Sequence, residues 1–315
     1  MAFINFGPRT LRVGDIQLTG SSNLFRDASR GNTWYVDTNT GSDAASGKNW
    51  VNAFLTMDEA FDHLEAGDRI FFVGNVNEKL TTPLGAPNVT VIGATTRPRH
   101  ADTHPLNGEL SGATWKIGSL SAGPLCIVRT PGWRFENILF AAHASSVALR
   151  LDRTGVEDAT EEDASHLEVV GNRFASGGGI SDVGGCFNVL IENNVFGAVD
   201  PAILGVGNIG VGQLQWHIRG NHFNNFTNGV KIAAHECVVT GNFFTDGGTP
   251  NTTYVLNMSN GGGRDNFIVE NWFQTATANF NTPDLVGNAT DVWFNHALDT
   301  QAAGVNGVYE VGSPA

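Results

Sequence analysis

A six-residue phrase that recurs along this chain constrains its fold more than any other feature. Residues 169–174 read VVGNRF, residues 218–223 read IRGNHF and residues 239–244 read VTGNFF. Each copy alternates inward apolar and outward polar positions, which is typical of a β-strand with one buried face. Five phenylalanines, spaced 21 to 29 residues apart, mark the copies, and an asparagine stands two residues before each: Phe174, Phe196, Phe223, Phe244 and Phe273, with Asn172, Asn194, Asn221, Asn242 and Asn271.

This spacing predicts a solenoid, because repeats of 20 to 50 residues are typical of stacked supersecondary units. The Leu-x-x-Leu-x-Leu signature of leucine-rich repeats is missing, which leaves a β-helix whose coils bury their apolar faces against one another. We predict a single-stranded right-handed parallel β-helix of about seven to nine coils over residues 85–300. The phenylalanines would point into the core. Each asparagine would turn a corner in the left-handed backbone region and bond to its neighbours along the axis as a structural ladder.

The first 30 residues form a separate arm in this organisation. Apolar residues alternate around a Gly-Asp pair and predict a hairpin: Leu11, Val13, Ile16 and Leu18. Because an isolated hairpin is marginally stable in water, these residues are candidate attachment residues. The arm would pack on the end of its own domain or grip a neighbouring subunit. The C-terminal tail, 301–315, would anchor or cap the rod.

One amphipathic helix is predicted in the segment 31–84, before the coils. Thr56 is a suitable N-cap, Glu59 has the capping-box spacing, and Gly67 would end the helix. The apolar side chains that share one helix face are Met57, Ala60, Phe61 and Leu64. The next segment, RIFFVGNV, reads as a buried strand. A single helix ahead of a run of strands would cover the open end of the core.

Charge and composition argue against several function classes. The net charge is −13 with 18 Lys and Arg residues, whereas nucleic-acid binding requires clustered basic residues, so we expect no nucleic-acid partner. The sequence has neither an apolar run long enough to span a membrane nor a signal-peptide pattern at its start. We therefore expect no membrane association and synthesis in the cytoplasm. The three cysteines lack CxxC spacing, which argues against a disulfide framework or a zinc site, and Cys237 is expected to face the core.

The segment 34–73 resembles the first segment of pectate-lyase-like right-handed parallel β-helix proteins of the bacteriophage virion-structural type. It contains the Tyr-Val-Asp, Gly-Ser-Asp, Ala-Phe-x-Thr and Gly-Asp-x-Ile elements of that group, and with the coils the resemblance extends over about residues 34–300. The resemblance implies a non-enzymatic virion protein without a cofactor, which trimerises side by side. Our first hypothesis is a capsid-decorating or head-surface (cement) protein that contacts other virion proteins such as the major capsid protein.

Two other hypotheses remain open at this point. One is a tailspike-type depolymerase or lyase acting on bacterial surface polysaccharide, and the other is a carbohydrate-binding adhesin, favoured by outward Phe243 and Trp272. A lyase of this superfamily would need carboxylate calcium ligands on neighbouring coils. The outward strand positions supply Glu168, Glu192 and Glu270, interrupted by Arg219 and Thr240, which favours solvated strand-face charges over a calcium site.

Two further sets of residues are weak candidates for sites. Asp182 and Asp200, in inter-strand loops about one coil apart, are the least unfavourable glycosidase pair. Arg97 and Arg99, within 93–105, would lie in an ordinary loop or dock an acidic neighbour such as the run 157–163 of another copy. No HxH or HExxH spacing is present, so we expect no metal site.

Overall fold

The computed structural model describes about two thirds of the chain, and every structural statement below refers to that part. The described residues are 10–13, 16–19, 31–94, 112–117, 122–153, 162–197, 199, 201–205, 213–224, 226, 228–245, 254–258, 265–275, 285–286, 292–299 and 307–311.

An eight-stranded parallel sheet defines the coils, since each coil contributes one strand. Numbered along the chain, its strands are β5 (Leu80–Thr81), β8 (Cys126–Val128), β11 (Val147–Leu151), β14 (Gly178–Asp182), β17 (Ile203–Gly205), β21 (Asn228–Lys231), β25 (Tyr254–Asn257) and β27 (Leu285–Val286). Eight coils at about 4.8 Å each give a stack about 35 Å long. The predicted parallel β-helix and its number of coils are confirmed.

A second, 17-stranded sheet completes the coils and bends at the repeated asparagines into two arms. The first arm, before each corner, contains β6 (Thr90–Gly93), β9 (Arg134–Glu136), β12 (Glu168–Val170), β15 (Leu190–Glu192), β19 (His217–Arg219) and β23 (Val238–Thr240). The second arm contains β7 (Ala113–Lys116), β10 (Leu139–Ala141), β13 (Arg173–Phe174), β16 (Val195–Gly197), β20 (His222–Asn224) and β24 (Phe243–Thr245).

The remaining strands lie at the ends or outside these arms. Strand β3 (Thr33–Asp37) pairs with β4 (Arg69–Val76), while β26 (Phe267–Thr275) and β28 (Val292–Asp299) run through both arms. Strand β29 (Gly307–Val311) pairs antiparallel with β28. The small pair is β18 (Gln213–Leu214) with β22 (Ala234–His235). Strands β1 (Thr10–Val13) and β2 (Ile16–Thr19) pair antiparallel, which confirms the predicted hairpin.

The predicted helix covers the first coils. Helix α1 (Met57–Asp62) follows a short 3₁₀ turn (Trp50–Asn52), and the Thr56 hydroxyl accepts a hydrogen bond from the Glu59 N–H, as predicted for the N-cap. Phe61 packs on Trp115 and Trp133, with ring centroids 6.2 and 5.4 Å apart. This packing closes the N-terminal end of the core.

Two local predictions in this segment were wrong. The helix ends at Asp62 rather than at Gly67, because the Glu65 N–H bonds to the Asp68 carboxylate instead of continuing the helical pattern. Strand β4 is buried on one face only, since Ile70 and Phe72 point inward and the residues between them are partly exposed.

The repeated phenylalanines form a continuous stack inside the second arm. Successive ring centroids lie 4.5 to 5.1 Å apart: Phe140, Phe174, Phe196, Phe223, Phe244 and Phe273. Trp115 extends the stack at 6.1 Å from Phe140. The stack fills the core of consecutive coils with rings in offset contact, an arrangement that contributes beyond the burial of their area.

The repeated asparagines form a buried hydrogen-bonded ladder. In each rung the side-chain amide donates to the side-chain oxygen of the next asparagine at 2.8 to 3.1 Å, and that same oxygen accepts the backbone N–H. The ladder extends one coil beyond the predicted five rungs, to Asn295. The rungs are Asn172, Asn194, Asn221, Asn242, Asn271 and Asn295.

The prediction that asparagine itself adopts the left-handed conformation at the corner was wrong. The residue before it does so: Gly171, Asn193, Gly220, Gly241 and Glu270 have φ between 57° and 66°. The rung asparagine is buried with its side chain turned inward, so its role is to satisfy backbone groups at the corner.

Candidate functional site

The second arm carries three aromatic side chains in register on its outer surface. His222, Phe243 and Trp272 occupy equivalent positions of consecutive coils, one above another. We call this set the aromatic row. Trp272 is 37% exposed, and Phe243 and His222 are partly exposed. The rings of His222 and Phe243 meet edge to face with centroids 5.3 Å apart.

Alternation along the strands places these rings outward. In each phrase the residue between the ladder asparagine and the stacked phenylalanine must point away from the core. On the earlier coils the same position holds Leu139, Arg173 and Val195, so the aromatic row is confined to later coils. The sequence predicts His222 as an outward polar residue and Phe243 and Trp272 as exposed aromatic residues, but His222 was not grouped with these two, although it occupies the same position in the phrase IRGNHF.

Uncharged polar side chains flank the aromatic row. Asn224 and Thr245 are paired in register two residues further along their strands, on the same outer surface. The Thr245 hydroxyl lies 3.1 Å from His222 Nε2, and it also donates to the Phe223 carbonyl. Burial lowers the pKa of His222, so its imidazole is neutral at pH 7. This surface offers ring faces and neutral hydrogen-bonding groups.

Asp182 does not have the geometry of a catalytic residue. Contrary to the predicted loop position, it ends strand β14 and is fully buried. Its carboxylate accepts hydrogen bonds from three backbone N–H groups and from Gln213 Nε2, at 2.8 to 3.1 Å. Burial raises the pKa of Asp182 and the hydrogen bonds oppose that effect. The side chain ties the turn after β14 to the next coil. Asp200 lies outside the described residues.

The three glutamates considered as calcium ligands fall in three different places. Glu168 is almost buried and pairs with Arg134, and Glu192 pairs with Arg219 at 3.0 Å between Oε1 and Nε. Glu270 occupies a corner position with φ of 57°. The inward residues Val169, Ile191 and Ile268 occupy equivalent positions of the coils. Glu168 precedes this position by one residue, Glu192 follows it by one and Glu270 follows it by two, so the three carboxylates are not stacked. Among the described residues no cluster of three metal-ligating side chains occurs.

A cavity of about 620 Å³ lies beside the start of helix α1. Two of the four carboxylates that line it are engaged with the backbone: Asp43 accepts from Leu55 and Thr56 N–H, and Glu78 accepts from Met57 and Asp58 N–H. Burial raises the pKa of Glu78. These contacts hold the helix start against the coil, which is a structural role.

Other predicted residues have separate outcomes. Cys126, Cys186 and Cys237 are buried and unbridged, and the core position predicted for Cys237 is confirmed. Arg97 and Arg99 lie outside the described residues, as do the side chains of Leu11, Val13, Ile16 and Leu18. Of the acidic run 157–163, Glu162 and Asp163 are described and pair with Arg129 and Arg153 of the same chain.

In the part of the chain that the structure describes, no helix is long and apolar enough to cross a membrane.

No family model and no curated protein matches this chain. Among solved structures, the chain is similar to pectate lyase Pel9A, with 13% identity and a TM-score of 0.49 over 87% of this chain and 76% of that chain. It is also similar to the GH136 lacto-N-biosidase from Eubacterium ramulus, with 11% identity and a TM-score of 0.45 over 78% of this chain. The chain spans 59% of that protein's length. A rhamnogalacturonan lyase matches with 11% identity and a TM-score of 0.35, over 87% of this chain and 86% of that chain.

Proposed function

We propose that this protein is a non-enzymatic structural component of a bacteriophage particle that assembles as a homotrimer. In this proposal it decorates the head surface and contacts the major capsid protein. The observation that carries the proposal is the sequence resemblance of residues 34–73 to the first segment of phage β-helix proteins, combined with the fold of that segment. It forms the cap that closes one end of the rod.

The contacts of this cap explain why the resembling elements occur together. The Gly-Asp-x-Ile element supplies Asp68, which is fully buried and accepts hydrogen bonds from Trp34 Nε1 and from the Asn32 and Glu65 N–H groups. The Ala-Phe-x-Thr element supplies Phe54, whose ring stacks on Trp34 with centroids 5.8 Å apart. These residues hold the first coil closed, so the resemblance reflects one cooperative structural unit.

The regular packing inside the β-helix supports a mechanical role. The asparagine ladder and the phenylalanine stack link consecutive coils with directional hydrogen bonds and ring contacts, and rods of this kind expose flat lateral faces. The capped end also carries exposed apolar side chains, including Trp50 at 42% and Val51 at 93%. A patch of this kind suits attachment to a protein shell.

Purified particles test the proposal. Mass spectrometry of density-purified phage should detect this chain, and gold-labelled antibodies should bind the head surface in electron micrographs. Sedimentation equilibrium of the isolated protein should give three times the 33.5 kDa chain mass. Absence from the particles, or a monomeric mass, would contradict the proposal. Release of reducing ends or unsaturated uronates from host surface polysaccharide would instead favour the depolymerase hypothesis.

A further inference from the structure

The aromatic row is a regular feature of the outer surface that the fold does not require. The core of these coils is filled by the inward rings Phe223, Phe244 and Phe273, which are all buried. The outward neighbours of these rings could be any residue compatible with a strand. An isolated exposed aromatic residue needs no explanation, but three in register on consecutive strands form a continuous surface.

The dimensions of the row fit an extended ligand. Consecutive strands are about 4.8 Å apart, so the row extends about 10 Å along the axis of the β-helix. Trp272 and Phe243 present large rigid rings at little cost in conformational entropy. A linear chain laid along the axis would contact each ring in turn.

The uncharged side chains around the aromatic row favour a neutral linear ligand. The described side chains of the aromatic row and of its polar flank carry no formal charge at pH 7: His222, Phe243, Trp272, Asn224 and Thr245. Pyranose rings present C–H faces that pack on aromatic rings and hydroxyls that bond to amides, hydroxyls and imidazoles. The net charge of −13 opposes the approach of polyanions, and Glu270 is exposed on the strand that carries Trp272.

We propose that His222, Phe243 and Trp272 form a binding surface for neutral pyranose polysaccharide, with the sugar chain aligned along the axis of the β-helix. The Asn224 amide supplies hydrogen bonds to its hydroxyls, and Thr245, whose own hydroxyl donates to the Phe223 carbonyl, accepts one from them. This proposal is independent of the virion role, because it concerns a lateral surface and holds for a rod on or off a particle.

Affinity electrophoresis in native gels tests it directly. The full-length protein would be run through gels containing galactomannan, xyloglucan or dextran as neutral probes, and polygalacturonate or alginate as anionic probes. We expect at least one neutral probe to retard the wild-type protein and the anionic probes to leave its mobility unchanged. Retardation only by the anionic probes, or by none of the five, would overturn the proposal.

Substitutions assign the binding to the aromatic row. Trp272→Ala should weaken binding by about tenfold, whereas Trp272→Phe should retain part of it, because a ring face remains. Phe267→Ala is the matched control: Phe267 lies on the same strand, is 48% exposed, and points outward on the first arm. It should leave the affinity within about twofold of wild type. Equal losses in Trp272→Ala and Phe267→Ala would refute the assignment.

Two measurements separate binding from other effects. Circular dichroism melting of each variant identifies unfolding, and affinities would be compared between variants that melt like wild type. Sedimentation of Trp272→Ala distinguishes a sugar surface from a subunit interface. An unchanged mass supports the proposal. A shift to a smaller species would show that a second copy of the chain covers the row, and would overturn it.

Discussion

The contribution of one rung of the asparagine ladder to the free energy of unfolding can be measured with a single substitution. Asn221 is an interior rung, fully enclosed between Asn194 and Asn242. In Asn221→Ala the strand residues on both sides are unchanged, so the backbone can keep its course. The substitution removes only the side-chain amide, which makes it a direct measure of what one rung contributes.

The magnitude follows from the hydrogen bonds of this side chain. Its oxygen accepts from the backbone N–H and the side-chain amide of Asn194, and its amide donates to the Ile191 carbonyl and to Asn242 Oδ1. Each buried hydrogen bond contributes about 1 kcal/mol net, and leaving its partner unsatisfied costs somewhat more. Since all four partners lie away from solvent, we expect Asn221→Ala to lower the free energy of unfolding by about 4 kcal/mol.

Urea unfolding followed by circular dichroism and by tryptophan fluorescence gives this quantity, and agreement between the two signals tests two-state behaviour. Asn224→Ala is the matched control, because Asn224 belongs to the same coil but is exposed. It should change the free energy of unfolding by less than about 0.5 kcal/mol. If the two variants unfold at the same urea concentration, the ladder does not stabilise the coils and the reasoning fails.

Four further outcomes follow from the buried contacts and are measured by the same unfolding assay. Phe223→Ala should lower the free energy of unfolding by about 3–5 kcal/mol, because it opens a cavity in the ring stack. Asp182→Ala should cost about 3 kcal/mol, since it leaves the buried N–H groups of the turn unsatisfied; a variant as stable as wild type would contradict the role of Asp182. Thr56→Ala should cost about 1 kcal/mol through loss of the N-cap, with Thr56→Ser as the control that keeps it. The pKa of Glu78 is raised by burial above its ordinary 4.5. The folded state therefore binds more protons than the unfolded chain just above that value, and stability should fall as pH rises through this window. Glu78→Gln should flatten that dependence, and an identical pH profile would contradict it.

The inward half of the fold could be predicted because the core imposes the same demand on every coil. A strand with one buried face must alternate, and stacking places equivalent residues in contact, so Phe196 and Phe223 had to repeat. The last rung was not predicted, because each rung was recognised by an asparagine followed two residues later by a phenylalanine. The residue two positions after Asn295 is Ala297 rather than phenylalanine, so the paired signal is missing although Ala297 still aligns with Phe273.

The corners were less predictable because different residues perform the same backbone task. The left-handed position before the ladder is occupied by Gly171 and Gly220, but also by Asn193 and Glu270. No single residue type marks this position. The residue beside it is an asparagine in every rung, and for that reason the left-handed conformation was assigned to the asparagine. The buried hydrogen-bonded environment of Asp182 could not be predicted for a different reason. Its partners are backbone N–H groups, which every sequence contains, so their convergence on one carboxylate depends on the turn itself.

Substitutions at inward and outward positions of these strands should affect stability differently. Phe223 and His222 are adjacent, yet the first is enclosed by the ring stack and the second lies on the surface. Loss of Phe223 removes buried contacts that the fold needs, while loss of Trp272, which is 37% exposed, should change stability by less than about 1 kcal/mol. If Trp272→Ala destabilised the protein as much as Phe223→Ala, the row would belong to the scaffold. Stability that is retained while sugar binding is lost would locate binding on the surface that the repeat leaves free to vary.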